Sequence, residues 1–250
     1  MQKRIIAFID ILGFKQALGE PGQFDSIDEL IRKIAEINSI HNFNINTYPD
    51  GYGMEGKPEV SSFSDHVVVS ICDRAEDDAT VFAGYLEFII LTIAKICDLA
   101  LLSGFLVRGG MSHGDIIHEK NVVFGRALVE AIDIEENIAF YPRILLSNDL
   151  SKRIIEGFSL PIRFGTVLQD HDGLFYINWM KSGALSGPIQ SSENSDESLR
   201  KNVIEKMKVY KNIIEKNLIL HKADQRKYRQ WHWFAKYYNI NPFAEHKIEI

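Results

Sequence analysis

The chain reads as an α+β protein built on a βαββαβ core, and three observations carry that expectation. Residues 4–11 (RIIAFIDI) form a nearly unbroken apolar, β-branched run, the pattern of a central strand buried on both faces. Two further strand-like runs, 59–63 and 66–72 (HVVVSIC), are separated only by Ser64-Asp65, the spacing of a tight hairpin with an acid at its tip. Segments of helical period flank that hairpin, and a strand-like run at 105–117 closes the unit.

Each element has a local reason. Gly13 punctuates the first strand, and Asp25 or Ser26 can cap a helix reaching about Ser39, with Ile27, Leu30, Ile31, Ile34 and Ile37 at helical spacing. Residues 41–58, rich in Asn, Pro and Gly, read as a loop. A second helix is expected over 76–102, ending at Gly104, then the strand 105–117, a short strand at 121–124 and a helix from Gly125 to about Phe140. Strand, helix, hairpin, helix, strand is a ferredoxin-like order, with helices on one face of an antiparallel sheet. Further strands are expected at 143–147, 163–169 and 174–179, with a helix at Asn148–Glu156 between the first two. The composition then shifts. Residues 181–197 are Ser/Gly-rich and read as a linker between a domain at 1–180 and a helical C-terminal extension at 198–250.

Composition excludes several classes. Hydrophobic residues at 46 % and charged residues at 25 % suit a globular protein rather than a disordered one. A formal net charge of −6 argues against coating nucleic acid, which needs a dominant basic face. Cys72 and Cys97 cannot make a disulfide framework, which suits a reducing cytoplasm. The N-terminal apolar run is too short for a signal peptide, and the apolar stretch from Tyr85 to Val107 contains Glu87, Lys95 and Asp98, each costly at a bilayer centre. A cytoplasmic protein without membrane contact is expected.

Three features carry chemistry. Asp10 ends an apolar strand, where a carboxylate suffers desolvation unless it meets something positive. The turn Ile11-Leu12-Gly13-Phe14 leaves that strand through a glycine and can offer backbone N–H groups to an anion; a mere turn-capping role for Asp10 is the plainer alternative. Asp65 sits at the hairpin tip, which this topology places beside the end of the first strand. Two converging carboxylates are the minimum for hard divalent ions such as Mg²⁺ or Mn²⁺, although an Asp in a hairpin turn is common. Gly109, Gly110 and Gly114 in one strand suggest close approach by a ligand or partner chain, or a bulge.

Together these segments resemble the class III nucleotidyl cyclases. The strand ending in a metal-binding Asp and a Gly-Phe turn is Phe8-Ile9-Asp10-Ile11-Leu12-Gly13-Phe14; the second metal Asp is in Phe63-Ser64-Asp65, with Ser64 in place of the family's Gly. The Arg-x-Gly-x-x-x-Gly strand is Arg108 to Gly114, and the Phe-Gly pair is Phe124-Gly125. The resemblance covers about residues 4–140. It departs at Ser61, where a purine-selecting Lys or Glu is usual, and at Val129 and Asp133, which stand where Asn and Arg are usual. Ala127-Leu128-Val129-Glu130-Ala131 and Tyr141-Pro142-Arg143-Ile144 are similar instead to the divergent pyrimidine cyclases of bacterial Pycsar anti-phage systems.

That resemblance implies a cyclase core with extra strands and a helical extension. It implies a phosphorus–oxygen lyase converting UTP, in preference to CTP, to the 3′,5′-cyclic monophosphate for a separate effector. It also implies a homodimer with active sites at the interface, and two Mn²⁺ or Mg²⁺ ions per site. Asp10, Asp65 and the Ile11 carbonyl are the expected ligands, and the N–H groups of Leu12, Gly13 and Phe14 the expected phosphate cradle. Tyr48, with Tyr52 in reserve, and Ser61 are candidates for contact with the base. The transition state needs a cation, for which Arg126 is first choice ahead of Arg108 and Arg143.

Other features are set aside. His66, His113 and His118 lack zinc-site spacing and read as polar packing residues. Ser112, His113 and Asp115 resemble a triad only by composition, since strand neighbours face opposite sides. Arg226–Tyr238 interleaves cations with aromatics, but Trp231, Phe234 and Tyr238 share one helical face, as a docked helix requires. A diguanylate cyclase would need a Gly-Gly-(Asp/Glu)-Glu-Phe hairpin, which is missing. A degenerate cyclase acting as a nucleotide sensor, or a purine cyclase, are the rival readings.

Overall fold

Strand β1 (Gln2–Leu12) is apolar on both faces because it runs through the middle of an eight-stranded mixed sheet. The computed structural model describes residues 1–20, 22, 24–40, 43–45, 54–75, 78–119, 122–157, 165–181 and 195–250. After β1 come α1 (Phe14–Leu18), α2 (Phe24–Ile40), the short strands β2 (Phe43–Ile45) and β3 (Met54–Gly56), and the hairpin β4 (Glu59–Phe63) and β5 (His66–Cys72). Next are α3 (Ala79–Leu102), β6 (Leu106–Glu119), β7 (Val122–Gly125), α4 (Arg126–Asn137), β8 (Ile144–Leu146) and α5 (Asn148–Gly157). β9 (Val167–Gln169), β10 (Phe175–Ile177), α6 (Ser195–Leu220) and α7 (Gln225–Asn239) follow.

The sheet order is β4-β5-β1-β6-β8-β10-β9, with β7 folded back on β6. β1 is antiparallel to β5 on one side and β6 on the other, and β4 is antiparallel to β5. The first six core elements therefore interlock as two split βαβ units, the order expected from the sequence. Two features differ from that expectation. β8 joins β6 in parallel, so the sheet is mixed rather than antiparallel. The helices also cover both faces. Ile5, Ala7, Ile9 and Ile11 pack with Leu30 and Ile34 of α2 and with Phe82, Leu86, Ile89 and Ile93 of α3; Ile6 and Phe8 pack with Val68, Ile116, Ala127 and Ala131 beneath α4. A strand apolar on both faces needs cover on both, and α4 supplies the second. The expected loop at 41–58 carries the paired strands β2 and β3, while residues 182–194, most of the expected linker, lie outside the described residues.

The remaining elements lock onto this frame. Asp78 caps α3, accepting from the Thr80 and Val81 N–H groups at 2.8 and 3.0 Å. Asp98, buried within α3, accepts from the Tyr210 hydroxyl and the Lys206 ammonium of α6, both at 2.6 Å. Trp231, Phe234 and Tyr238 of α7 are buried in the main core, so the basic–aromatic segment is a docked helix. Among the described residues no helix is long and apolar enough to cross a membrane.

The glycines of β6 have an internal explanation. A Cβ on Gly109 would stand 2.4 Å from the Phe8 carbonyl, and one on Gly110 would stand 2.2 Å from the Ala131 carbonyl and 2.7 Å from Ile134 Cβ. The close approach expected from a ligand or partner is made instead by β1 and α4 of the same chain. At Gly114 the nearest atom is Ala127 Cβ at 3.5 Å, an ordinary contact. Gly110→Ala should therefore lower unfolding free energy by about 2 kcal/mol or more, whereas Gly114→Ala should change it by less than about 1 kcal/mol, both read from urea denaturation.

Candidate metal centre

Asp10 and Asp65 converge because of strand register. Asp10 is paired across the sheet with His66, the first residue of β5, and Asp65 is the preceding residue at the hairpin tip. The Ile11 N–H donates to the Asp65 carbonyl at 2.8 Å, which fastens that tip to the end of β1. Ser64 adopts φ 56°, the left-handed region that a glycine enters freely. Its hydroxyl also hydrogen-bonds the Asp65 carboxylate.

Each carboxylate has one oxygen occupied by a cation and one turned toward a shared space. Arg108 Nε donates to Asp10 Oδ2 at 3.2 Å, and Lys15 Nζ stands 3.4 Å from Asp65 Oδ2. The two Oδ1 atoms face His66, whose Nδ1 lies 3.2 Å from that of Asp65 and whose Nε2 lies 3.9 Å from that of Asp10. Donor atoms of Asp10, Asp65 and His66 all lie within 4.8 Å of one another, so this group could hold a metal ion. Burial pushes the Asp65 carboxyl up, but hydrogen bonds from Ser64 and its own N–H, with His66 and Lys15 nearby, hold it below the usual carboxylate value.

Sequence reasoning placed Asp10 and Asp65 together and missed His66, which it treated as packing. The hairpin turn sets His66 opposite Phe63, while its place opposite Asp10 comes from the β1–β5 register, which spacing along the chain does not give. Leu12, Gly13 and Phe14 form the turn from β1 into α1, and Gly13 takes φ 85° there. Tyr48 and Tyr52 lie outside the described residues.

The three arginines have different surroundings. Arg108 bridges Asp10 and the buried Glu135, its Nη2 lying 2.7 Å from Glu135 Oε1. Burial raises the Glu135 carboxyl, and Arg108 opposes that rise. Arg143, 2 % exposed, is clamped by Asp170 and Asp172 and lies over the rings of Tyr141 and Trp233. Arg126 is exposed at the start of α4. Gly125 pairs with Ile116 whereas Asp10 pairs with Arg108, so Arg126 follows a point eight β6 residues away, roughly 26 Å at about 3.3 Å per residue. Within one chain, Arg126 does not join the carboxylates.

Ser61 lies on the same sheet face as Asp10 but is engaged by its own chain. Its hydroxyl is 2.9 Å from His118 Nε2, and His118 Nδ1 is 2.8 Å from the Ser70 hydroxyl, which accepts from Arg4 Nε at 2.9 Å. Burial keeps the His118 ring's pKa below its usual value. No protein-family model matches the chain, and no curated protein matches it.

The Arg143 clamp sets an acid limit on stability. Burial pushes the Asp170 carboxyl up, but bonds from His171 and Trp233 and the charge of Arg143 bring it below the usual value; Asp172 is lowered chiefly by its Arg143 hydrogen bond. Depressed carboxyls stabilise the fold above their unfolded pKa of about 3.9 and lose that contribution as pH falls through their folded values. Asp170→Asn should therefore cost about 1–3 kcal/mol at pH 7 and flatten the fall in stability below about pH 4, as measured by thermal melts across that range.

Proposed function

We propose that this protein is a pyrimidine nucleotide cyclase. The observation that carries the reading is the convergence of Asp10 and Asp65 at the end of the central strand, within motifs that resemble the class III cyclase pattern. The donor set fits hard divalent ions: two carboxylates, each with an oxygen turned toward the shared space, beside a backbone turn. Asp10, Asp65 and the Ile11 carbonyl would hold Mn²⁺ or Mg²⁺, two ions per site. When bound, such ions make a ribose 3′-hydroxyl more acidic and neutralise a pyrophosphate leaving group.

The chain's own groups would do the rest. N–H groups of Leu12, Gly13 and Phe14 would hold the β- and γ-phosphates of UTP or CTP in line with the ribose 3′-oxygen. That oxygen attacks the α-phosphorus, the bond to the β-phosphate bridging oxygen breaks, pyrophosphate leaves, and the hydroxyl proton passes to solvent. Tyr48 or Ser61 would contact the base.

Arg126 remains the best candidate for stabilising transition-state charge, because Arg108 and Arg143 are each held by two carboxylates. Its distance from Asp10 within one chain supports a homodimer. Val122, Phe124 and Val129 are all more than half exposed around the start of α4, an apolar surface suited to a second copy. A head-to-tail pair would bring one copy's Arg126 to the other's carboxylates. The cyclic product would act in the cytoplasm as a second messenger of anti-phage defence, read by a separate effector.

A degenerate, sensing cyclase is the second reading, favoured by Val129 and the exposed Asp133 in place of Asn and Arg. Incubation with each of the four NTPs and Mn²⁺, followed by mass spectrometry, separates the two. The enzyme reading expects cyclic UMP or cyclic CMP from the wild type and a loss of at least about 100-fold in Asp65→Ala. No cyclic product from any NTP would sink it.

A further inference from the structure

We infer that His66 is a direct metal ligand, completing an Asp–Asp–His set that favours Mn²⁺ over Mg²⁺. The inference rests on reading Asp10 and Asp65 as metal ligands and adds a third donor that the cyclase resemblance does not supply. Three observations carry it.

First, strand register makes His66 the cross-strand partner of Asp10, so the two side chains project from the same sheet face. Second, the imidazole packs against two neighbouring aromatic rings, which also touch each other at 6.4 Å between centroids. Phe8 stacks on it at 4.9 Å between centroids and Phe63 at 5.7 Å, each at 29°. This three-ring cluster restricts the imidazole, whose nitrogens lie 3.2 Å from Asp65 Oδ1 and 3.9 Å from Asp10 Oδ1. Third, the cations Arg108 and Lys15 sit on the two Oδ2 atoms, leaving both Oδ1 atoms for the space that His66 adjoins. Donors adjacent around an ion at about 2.1 Å stand roughly 3 Å apart. His66 Nδ1 and Asp65 Oδ1 already stand at 3.2 Å, and taking one donor atom from each of the three residues, all lie within 4.8 Å of one another, so closing on one ion draws them together by less than about 2 Å.

The chemistry of the set decides the metal. Mg²⁺ accepts oxygen donors and takes imidazole poorly, whereas first-row transition ions accept both. Adding one imidazole to two carboxylates therefore raises Mn²⁺ affinity more than Mg²⁺ affinity.

The test uses the full chain loaded with Mn²⁺ alone, without nucleotide. Electron spin-echo envelope modulation should show a directly coordinated ¹⁴N in the wild type. His66→Phe keeps the aromatic stack and removes both nitrogens; it should lose that modulation, weaken Mn²⁺ binding by at least about 10-fold in calorimetry, and narrow the preference over Mg²⁺. His66→Gln, a second variant, should behave alike, with circular dichroism reporting that each is folded. Asp65→Asn should abolish binding. If binding depends on Asp65 but the wild type lacks ¹⁴N modulation, or the modulation survives in both His66 variants, the inference is overturned and the two-carboxylate reading stands. If Asp65→Asn binds like the wild type, or the wild type binds no Mn²⁺, both fall.

Discussion

The hydrogen bond from the Ile11 N–H to the Asp65 carbonyl joins two parts of the chain 54 residues apart, and the whole candidate site hangs on it. β1 is held by β5 and β6 along its length and is buried on both faces, so its final residues have little freedom. Asp10 inherits that rigidity. The hairpin tip would otherwise be a solvent-exposed turn, but the Ile11 bond makes it an extension of the central strand. A site built on such elements is pre-organised: its carboxylates meet without a loop having to close.

Holding two carboxylates together is unfavourable unless charge is supplied. Here it comes from Lys15 and Arg108, and Arg108 in turn contacts Glu135. The site therefore sits at one end of a chain of charges running from the hairpin to Glu135 of α4. Lys15 is 79 % exposed and can swing away, whereas Arg108 is mostly buried and tied at both ends. An incoming cation displaces the first far more easily than the second. A net charge of −6, ill suited to long polyanions, becomes compatible with a metal-chelated mononucleotide, because part of it is placed where ions would reverse the local field.

Much of this was legible in the sequence. The unbroken apolar run around Ile5 to Ile9 marked a strand buried on both faces, and the two-residue gap at Ser64-Asp65 marked the hairpin, which together put Asp10 near Asp65. What escaped depended on distant packing. Gly109 and Gly110 are small because β1 and α4 crowd them, and a lone sequence cannot say which neighbour does the crowding. The parallel pairing of β8 follows from where α4 crosses the sheet, since three residues of strand look the same in either sense. Arg143 looked like an available cation until Asp170 and Asp172, nearly thirty residues on, were seen to clamp it. The place of His66 beside the two carboxylates comes from a cross-strand register rather than from spacing along the chain.

The most direct test of the account is a crystal structure grown with Mn²⁺ and 3′-deoxy-UTP, which binds but cannot cyclise. The account predicts anomalous density for Mn²⁺ against the Asp10 and Asp65 carboxylates, with the triphosphate on the N–H groups of residues 12–14. Manganese bound elsewhere, or a triphosphate that avoids the end of β1, would contradict it.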